Sequence, residues 1–175
     1  MTGYTKFVKK AMKLGSDHAK IIKTNTVVTA PWVYWKCRYG CGGYNSSLCC
    51  PPHAPDHRQT RELLDSYEHA LLIHVSNDPE SEIPVGLTSI VTTIERDLFL
   101  DGYFKVFGMG AGSCGYCGEK CSFRVCREPA KARPLLEACG VDVYSTVRNN
   151  GLKIEVLKDV SCTINLFGLI LIKGF

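Results

Sequence analysis

A chain of 175 residues fits one domain, residues 1–175, and can bury its own hydrophobic core without disulfides or metals as staples. An apolar fraction of 45% and a charged fraction of 22% exclude a disordered or fibrous chain, and no apolar run reaches the ~18 residues of a membrane span. The net charge of +4 is spread along the chain, with no basic run longer than Lys9-Lys10, so nucleic acid is not an expected partner.

At the N-terminus, Lys6, Lys9, Lys10 and Lys13 interrupt what a secretory signal would need as an unbroken apolar stretch, which predicts a cytoplasmic location. Phe7, Val8, Ala11, Met12 and Leu14 recur near helical spacing, with Gly15 placed as a C-terminal cap. From Ala19 to Ala30 the chain is rich in Ile, Val and Thr, predicting one or two strands leading into Pro31-Trp32-Val33-Tyr34-Trp35. The cysteines that follow are therefore expected on a loop leaving a strand end, with Trp32, Tyr34 and Trp35 in the core. Asp56 and Gln59 have the form of a capping box that opens a helix to about Tyr67. Ala70 to Val75 reads as a buried strand, and Asn77 to Pro84 as a surface loop.

Leu87, Ile90, Val91, Ile94 and Leu98 fall at three- and four-residue steps, predicting a helix that ends near Asp101-Gly102. Tyr103 to Met109 is an expected strand, delivering the chain to a second group of cysteines. The glycines of Gly108 to Gly112 then leave room for backbone to approach a bound centre. Pro134 to Ala138 reads as a helical turn, Val141 to Val143 as extended, Tyr144 to Asn149 as a helix, and Lys153 to Leu157 and Leu166 to Ile172 as strands. The fold class is α+β: a sheet of about four or five strands, helices packed on it, and two cysteine-rich loops.

Ten cysteines in a reducing compartment point to metal or redox use rather than to disulfides. Cys139 and Cys162 are isolated and read as small hydrophobes. The others form two tight groups. Cys114, Cys117, Cys121 and Cys126 have the spacing C-x2-C-x3-C-x4-C, looser than the ferredoxin run C-x2-C-x2-C-x3-C-P that wraps a 4Fe-4S cluster. Lys36, Arg38, Lys120, Arg124 and Arg127 stand beside cysteines, where cations stabilise a negatively charged thiolate cluster. Zinc is the alternative, held by the knuckles Cys37-Cys41 and Cys114-Cys117.

The first group has the spacing C-x3-C-x7-C-C-P-P. Vicinal Cys49 and Cys50 are not expected to reach one small cluster together, so Cys37, Cys41 and Cys50 form the natural set. The spacing differs from the C-x3-C-x2-C loop of radical S-adenosylmethionine enzymes. A fourth ligand could be Cys49, His53, Cys139 or Cys162; with none, one iron would stay open to a substrate. His57 reads as a solvated or helix-start residue, and His69 and His74 read as structural.

In order, Trp35 to Cys41, Cys50-Pro51-Pro52, Glu95 to Tyr103, Cys114 to Cys126 with Arg127-Glu128-Pro129, and Glu137 to Val143 resemble the prokaryotic family of predicted metal-binding proteins known as domain of unknown function 2284. The resemblance runs from about Ala19 to Ile172 and implies metal binding by the cysteine motifs, without an assigned reaction. Cys49 is an extra cysteine relative to that pattern. The expected function is electron transfer by a protein with two 4Fe-4S clusters and a redox partner protein. The alternatives are an enzyme with an open iron at the three-cysteine cluster and a zinc-stabilised interaction module.

Overall fold

The computed structural model describes residues 2–77, 86–118, 121–159 and 161–173. Four strands, β1 (His18–Lys23), β2 (His69–Asn77), β3 (Lys105–Met109) and β4 (Ile164–Lys173), form one antiparallel sheet in the order β1-β2-β4-β3. The central pair β2 and β4 is in register with Leu71 opposite Ile170 and Ile73 opposite Gly168. Both central strands are nearly continuous apolar runs because both faces of the sheet are covered.

Two cores follow from the two-residue alternation of strand side chains. On one face, Leu71, Ile73, Val75, Ile170 and Ile172 meet helices α1 (Thr5–Lys13) and α4 (Leu87–Leu100), which contribute Phe7, Ala11, Ile90, Val91, Ile94 and Leu98. The Lys10 ammonium pairs with Asp97, and Lys6 with Asp101 at 2.5 Å, fastening α1 to α4. On the other face, Ala70, Leu72, Leu169 and Leu171 meet Leu64, Val143 and Val147. Those side chains come from helices α3 (His57–Asp65) and α5 (Val143–Asn149). The capping box is present: Asp56 Oδ1 accepts from the N–H of Arg58 and Gln59 at 2.8 and 2.9 Å, and Gln59 Oε1 accepts from the Asp56 N–H at 3.0 Å.

The structure departs from expectation in several places. Pro31–Gly40 is a helix, α2, not an approach to a strand end. Pro31 occupies its first turn, where a missing N–H costs nothing, and this outweighs the strand preference of Trp32-Val33-Tyr34-Trp35. Only Val33 of this helix is buried, so Trp32 and Trp35 are 43% and 51% exposed rather than core. Lys153 to Leu157 is not a strand. Ile154 alone of that stretch is buried, and both sides of β4 are already paired. Gly108 makes room for a helix rather than for a bound centre, since a Cβ there would lie 2.6 Å from both Glu95 Oε2 and Val91 Cγ1 of α4. The expected loop after Asn77 lies outside the described residues.

Both cysteine loops are anchored on one segment, residues 134–142. Gly110, at the end of β3, donates to the Pro134 carbonyl at 2.9 Å and accepts from the Leu136 N–H at 3.2 Å, closing the base of loop 111–133. At the far end of the segment, the Ala30 N–H donates to Gly140 and the Asp142 N–H to Val28, each at 2.8 Å, which sets where α2 begins. Between them, Gly140 has φ 72° and touches the first turn of α3; a Cβ would lie 2.6 Å from His57 Cβ. The loop is also held by Arg133, whose Nε donates to the buried Glu95 carboxylate at 2.6 Å and whose Nη1 donates to the carbonyls of Pro129 and Ala132.

Two stability outcomes follow. Gly140→Ala is expected to cost roughly 1–3 kcal/mol, through a left-handed backbone and the His57 clash together, measured by denaturant unfolding. Arg133→Met leaves the Glu95 carboxylate without its partner and is expected to cost about 2–3 kcal/mol, below the range for a fully buried pair. Hydrogen exchange at the Gly110 and Leu136 amides should accelerate in the same variant.

Candidate metal centre

Cys37 lies one helical turn beyond the buried Val33 on α2, and Cys41 one turn beyond Cys37, where its N–H donates back to the Cys37 carbonyl at 3.3 Å. The x3 spacing of the first group is thus the i, i+4 step of a helix end, which aligns the two side chains on one face. Burial, then the charges of Cys41, Glu137 and Cys50, push the Cys37 thiol above its ordinary value. Cys37 and Cys41 thus stand together at the end of α2. Glu137 is a neighbour that the cysteine pattern did not announce; the Cys37 thiol donates to its carbonyl at 4.0 Å. The Gly43 N–H donates to Cys41 Sγ at 3.4 Å, and the Ser46 hydroxyl to Cys50 Sγ at 3.9 Å.

Burial pushes the Cys49 thiol up to about 12, with smaller contributions from Cys114, Cys126 and Cys50. The two cysteine loops touch. A Cβ on Gly43 would lie 3.3 Å from the Ser113 hydroxyl, and the His53 ring sits 5.0 Å from that of Phe123. The two cysteine loops, more than sixty residues apart in the chain, thus meet at Gly43–Ser113 and His53–Phe123.

Cys117 and Cys121 stand half-buried on the second loop, on either side of residues 119–120, which lie outside the described residues and include Lys120. His53 is taken up by Asn45, whose Oδ1 is 2.9 Å from Nε2. Cys139 is buried in the core with Leu136 and Val141, its thiol pushed up to about 12 chiefly by burial. Cys162 donates to Asp159 Oδ1 at 3.6 Å. Of the flanking bases, Lys36 lies 5.3 Å over the Trp32 ring, Arg38 5.8 Å from the Trp35 ring, and Arg124 and Arg127 are exposed. His74 is structural, with Nε2 2.8 Å from Asn165 Oδ1.

All ten cysteines are free. Thiols are the donor type of a thiolate-bound metal centre, and the raised thiols of Cys37 and Cys49 would each have to release a proton to bind a cation. Among the described residues, no three His, Cys, Asp or Glu side chains converge closely enough to hold a single metal ion. A cavity of about 240 Å³ opens beside the first set, walled by Trp32, Lys36, Cys37, Cys41, Glu137 and Tyr144. No helix among the described residues is long and apolar enough to cross a membrane.

Neither a curated protein nor a solved structure matches the chain. A family model described as predicted metal-binding protein (DUF2284) matches residues 20–172, a span that takes in both cysteine groups, the 134–142 segment and Glu95. The chain therefore belongs to the DUF2284 family of predicted metal-binding proteins.

Proposed function

We propose that this protein is an iron-sulfur electron carrier with two 4Fe-4S centres. Cys37, Cys41 and Cys50 serve the first, and the group Cys114, Cys117, Cys121 and Cys126 the second. The observation that carries the proposal is the meeting of the two cysteine loops, where Gly43 lies against Ser113 and His53 against Phe123. Bound clusters would supply reversible one-electron chemistry. The chain's own contribution is to hold and tune them. Donation from the Gly43 N–H and the Ser46 hydroxyl to sulfur favours the more negative, reduced state and raises the potential. Burial of Cys49 and Cys50 keeps water from that side. A redox partner protein in a bacterial or archaeal cytoplasm completes the proposal.

The cavity beside Cys37 and Cys41 favours a second reading, an enzyme whose three-cysteine centre keeps one position open to substrate. The Lys36 ammonium and the rings of Trp32 and Tyr144 on its walls suit a small anionic ligand with an apolar body.

Anaerobically purified protein is expected to contain iron and acid-labile sulfide in equal amounts and to show the broad visible absorption of thiolate-bound clusters. Colourless protein containing zinc would overturn both readings. For the open position, addition of a small thiol to reduced protein should shift the electron paramagnetic resonance signal that Cys37→Ser abolishes. An unshifted signal leaves the electron carrier as the function.

A further inference from the structure

Resting on the electron-carrier proposal above for what the partner carries, we infer that the outward face of helix α2 is the docking site of an acidic electron-carrier protein. The surface itself is read from side chains that need no metal.

Helix α2 divides its residues between two sides. Val33 is buried and Cys37, one turn on, is half-buried, whereas Trp32, Trp35, Lys36, Arg38 and Tyr39 are exposed, Tyr39 at 76%. At about 100° per residue these five fall in one continuous sector of the helix, opposite Cys37. The stripe is ordered before anything docks on it. The Trp35 and Tyr39 rings stack at 6.0 Å and 12°, and Tyr34 meets Trp35 edge-on at 5.7 Å. The Tyr34 hydroxyl lies 3.3 Å from that of Tyr44 on the first cysteine loop. Arg38 lies 5.5 Å from the Tyr39 ring and Lys36 5.3 Å over the Trp32 ring. Exposed Trp, Tyr and Arg are the residue types that dominate protein interfaces, and prior ordering lowers the entropic cost of association. A hollow of about 570 Å³ among Trp32, Trp35, Lys36 and Tyr39 receives a side chain of the partner.

Charge selects that partner. From His18 to Pro55 the chain holds Lys20, Lys23, Lys36 and Arg38 and no Asp or Glu. Among the described residues neither Lys36 nor Arg38 forms an ion pair. The carboxylates that flank the stripe are Asp56, which caps α3, and Glu137, which shares with Lys36 the wall of the cavity beside Cys37. A second copy of this chain docked on the same face would set like charges against each other across a two-fold axis. A nucleic acid strand draws on more phosphate contacts than two bases supply. An acidic protein meets both the aromatic stripe and its cations, and on this face it comes within about 10 Å, one helix diameter, of Cys37.

Two acidic one-electron carriers, flavodoxin and a plant-type 2Fe-2S ferredoxin, serve as probes. Affinity is read by isothermal titration calorimetry, and electron transfer by anaerobic stopped flow with dithionite as the reductant that needs no docking. The wild type is expected to bind at least one carrier, and to bind it about tenfold more weakly when salt rises from about 50 to about 500 mM. Trp35→Ala and Arg38→Glu are each expected to weaken binding by about tenfold or more. Tyr39→Ala, at the most exposed position of the stripe, should act in the same direction and keeps the test open should another variant fail to fold. Reduction by dithionite should be unchanged in Trp35→Ala and Tyr39→Ala. Binding of neither carrier, or equal binding by wild type and all variants, overturns the inference. So does tighter binding of poly(dT) than of either carrier, or self-association in sedimentation that Trp35→Ala abolishes. Metal analysis judges the electron-carrier proposal separately. Zinc-containing protein that binds a carrier through Trp35 and Tyr39 would keep the docking site and sink that proposal, whereas iron-containing protein with equal affinities throughout would do the reverse.

Discussion

The arrangement of the cysteines depends on backbone hydrogen bonding at the two ends of residues 134–142. One end pairs with Gly110 and so fixes where loop 111–133 departs; the other pairs with Val28 and Ala30 and so fixes where α2 begins. A short stretch of chain thereby sets the distance between two loops distant in sequence. Gly140 is the narrow point, because its left-handed backbone and its contact with His57 let the segment pass against α3. Arg133 performs a comparable service from the loop side, tying the last turn of backbone before the segment to a carboxylate on α4.

The sheet and its helices were legible in the sequence because their signals are local and strong. Ala70 to Val75 and Leu166 to Ile172 are apolar runs of strand length, the Leu87 to Leu98 pattern has helical period, and Asp56 with Gln59 announces a helix start. Helix α2 was not legible, since its aromatic residues carry strand preference and its single buried residue gives no amphipathic period. The signal that could have found it was Pro31 ahead of a C-x3-C pair, a helix-compatible spacing. Lys153 to Leu157 misled in the opposite sense: strand-like composition without a free strand edge to join.

The cysteine groups themselves were legible as metal-ligand candidates, and the C-x3-C step of Cys37 and Cys41 falls on the end of α2. The contact of the two loops at Gly43–Ser113 and His53–Phe123 was not legible, because spacing describes contacts within a loop and says nothing of contacts between loops. The same limit hid Glu137, which enters through the 134–142 segment, and the identity of Glu95 as the acceptor for Arg133.

Loop 111–133 leaves and rejoins the fold at adjacent backbone positions, Gly110 and Pro134. Its length therefore enters the folding energetics only through closure entropy, which grows by roughly 0.6 kcal/mol per doubling. Residues can be inserted or removed between the cysteines without moving β3, β4 or either core. Such a loop can drift in cysteine spacing over evolutionary time while the scaffold stays constant, which gives a physical basis for a C-x2-C-x3-C-x4-C run that differs from the tighter ferredoxin run.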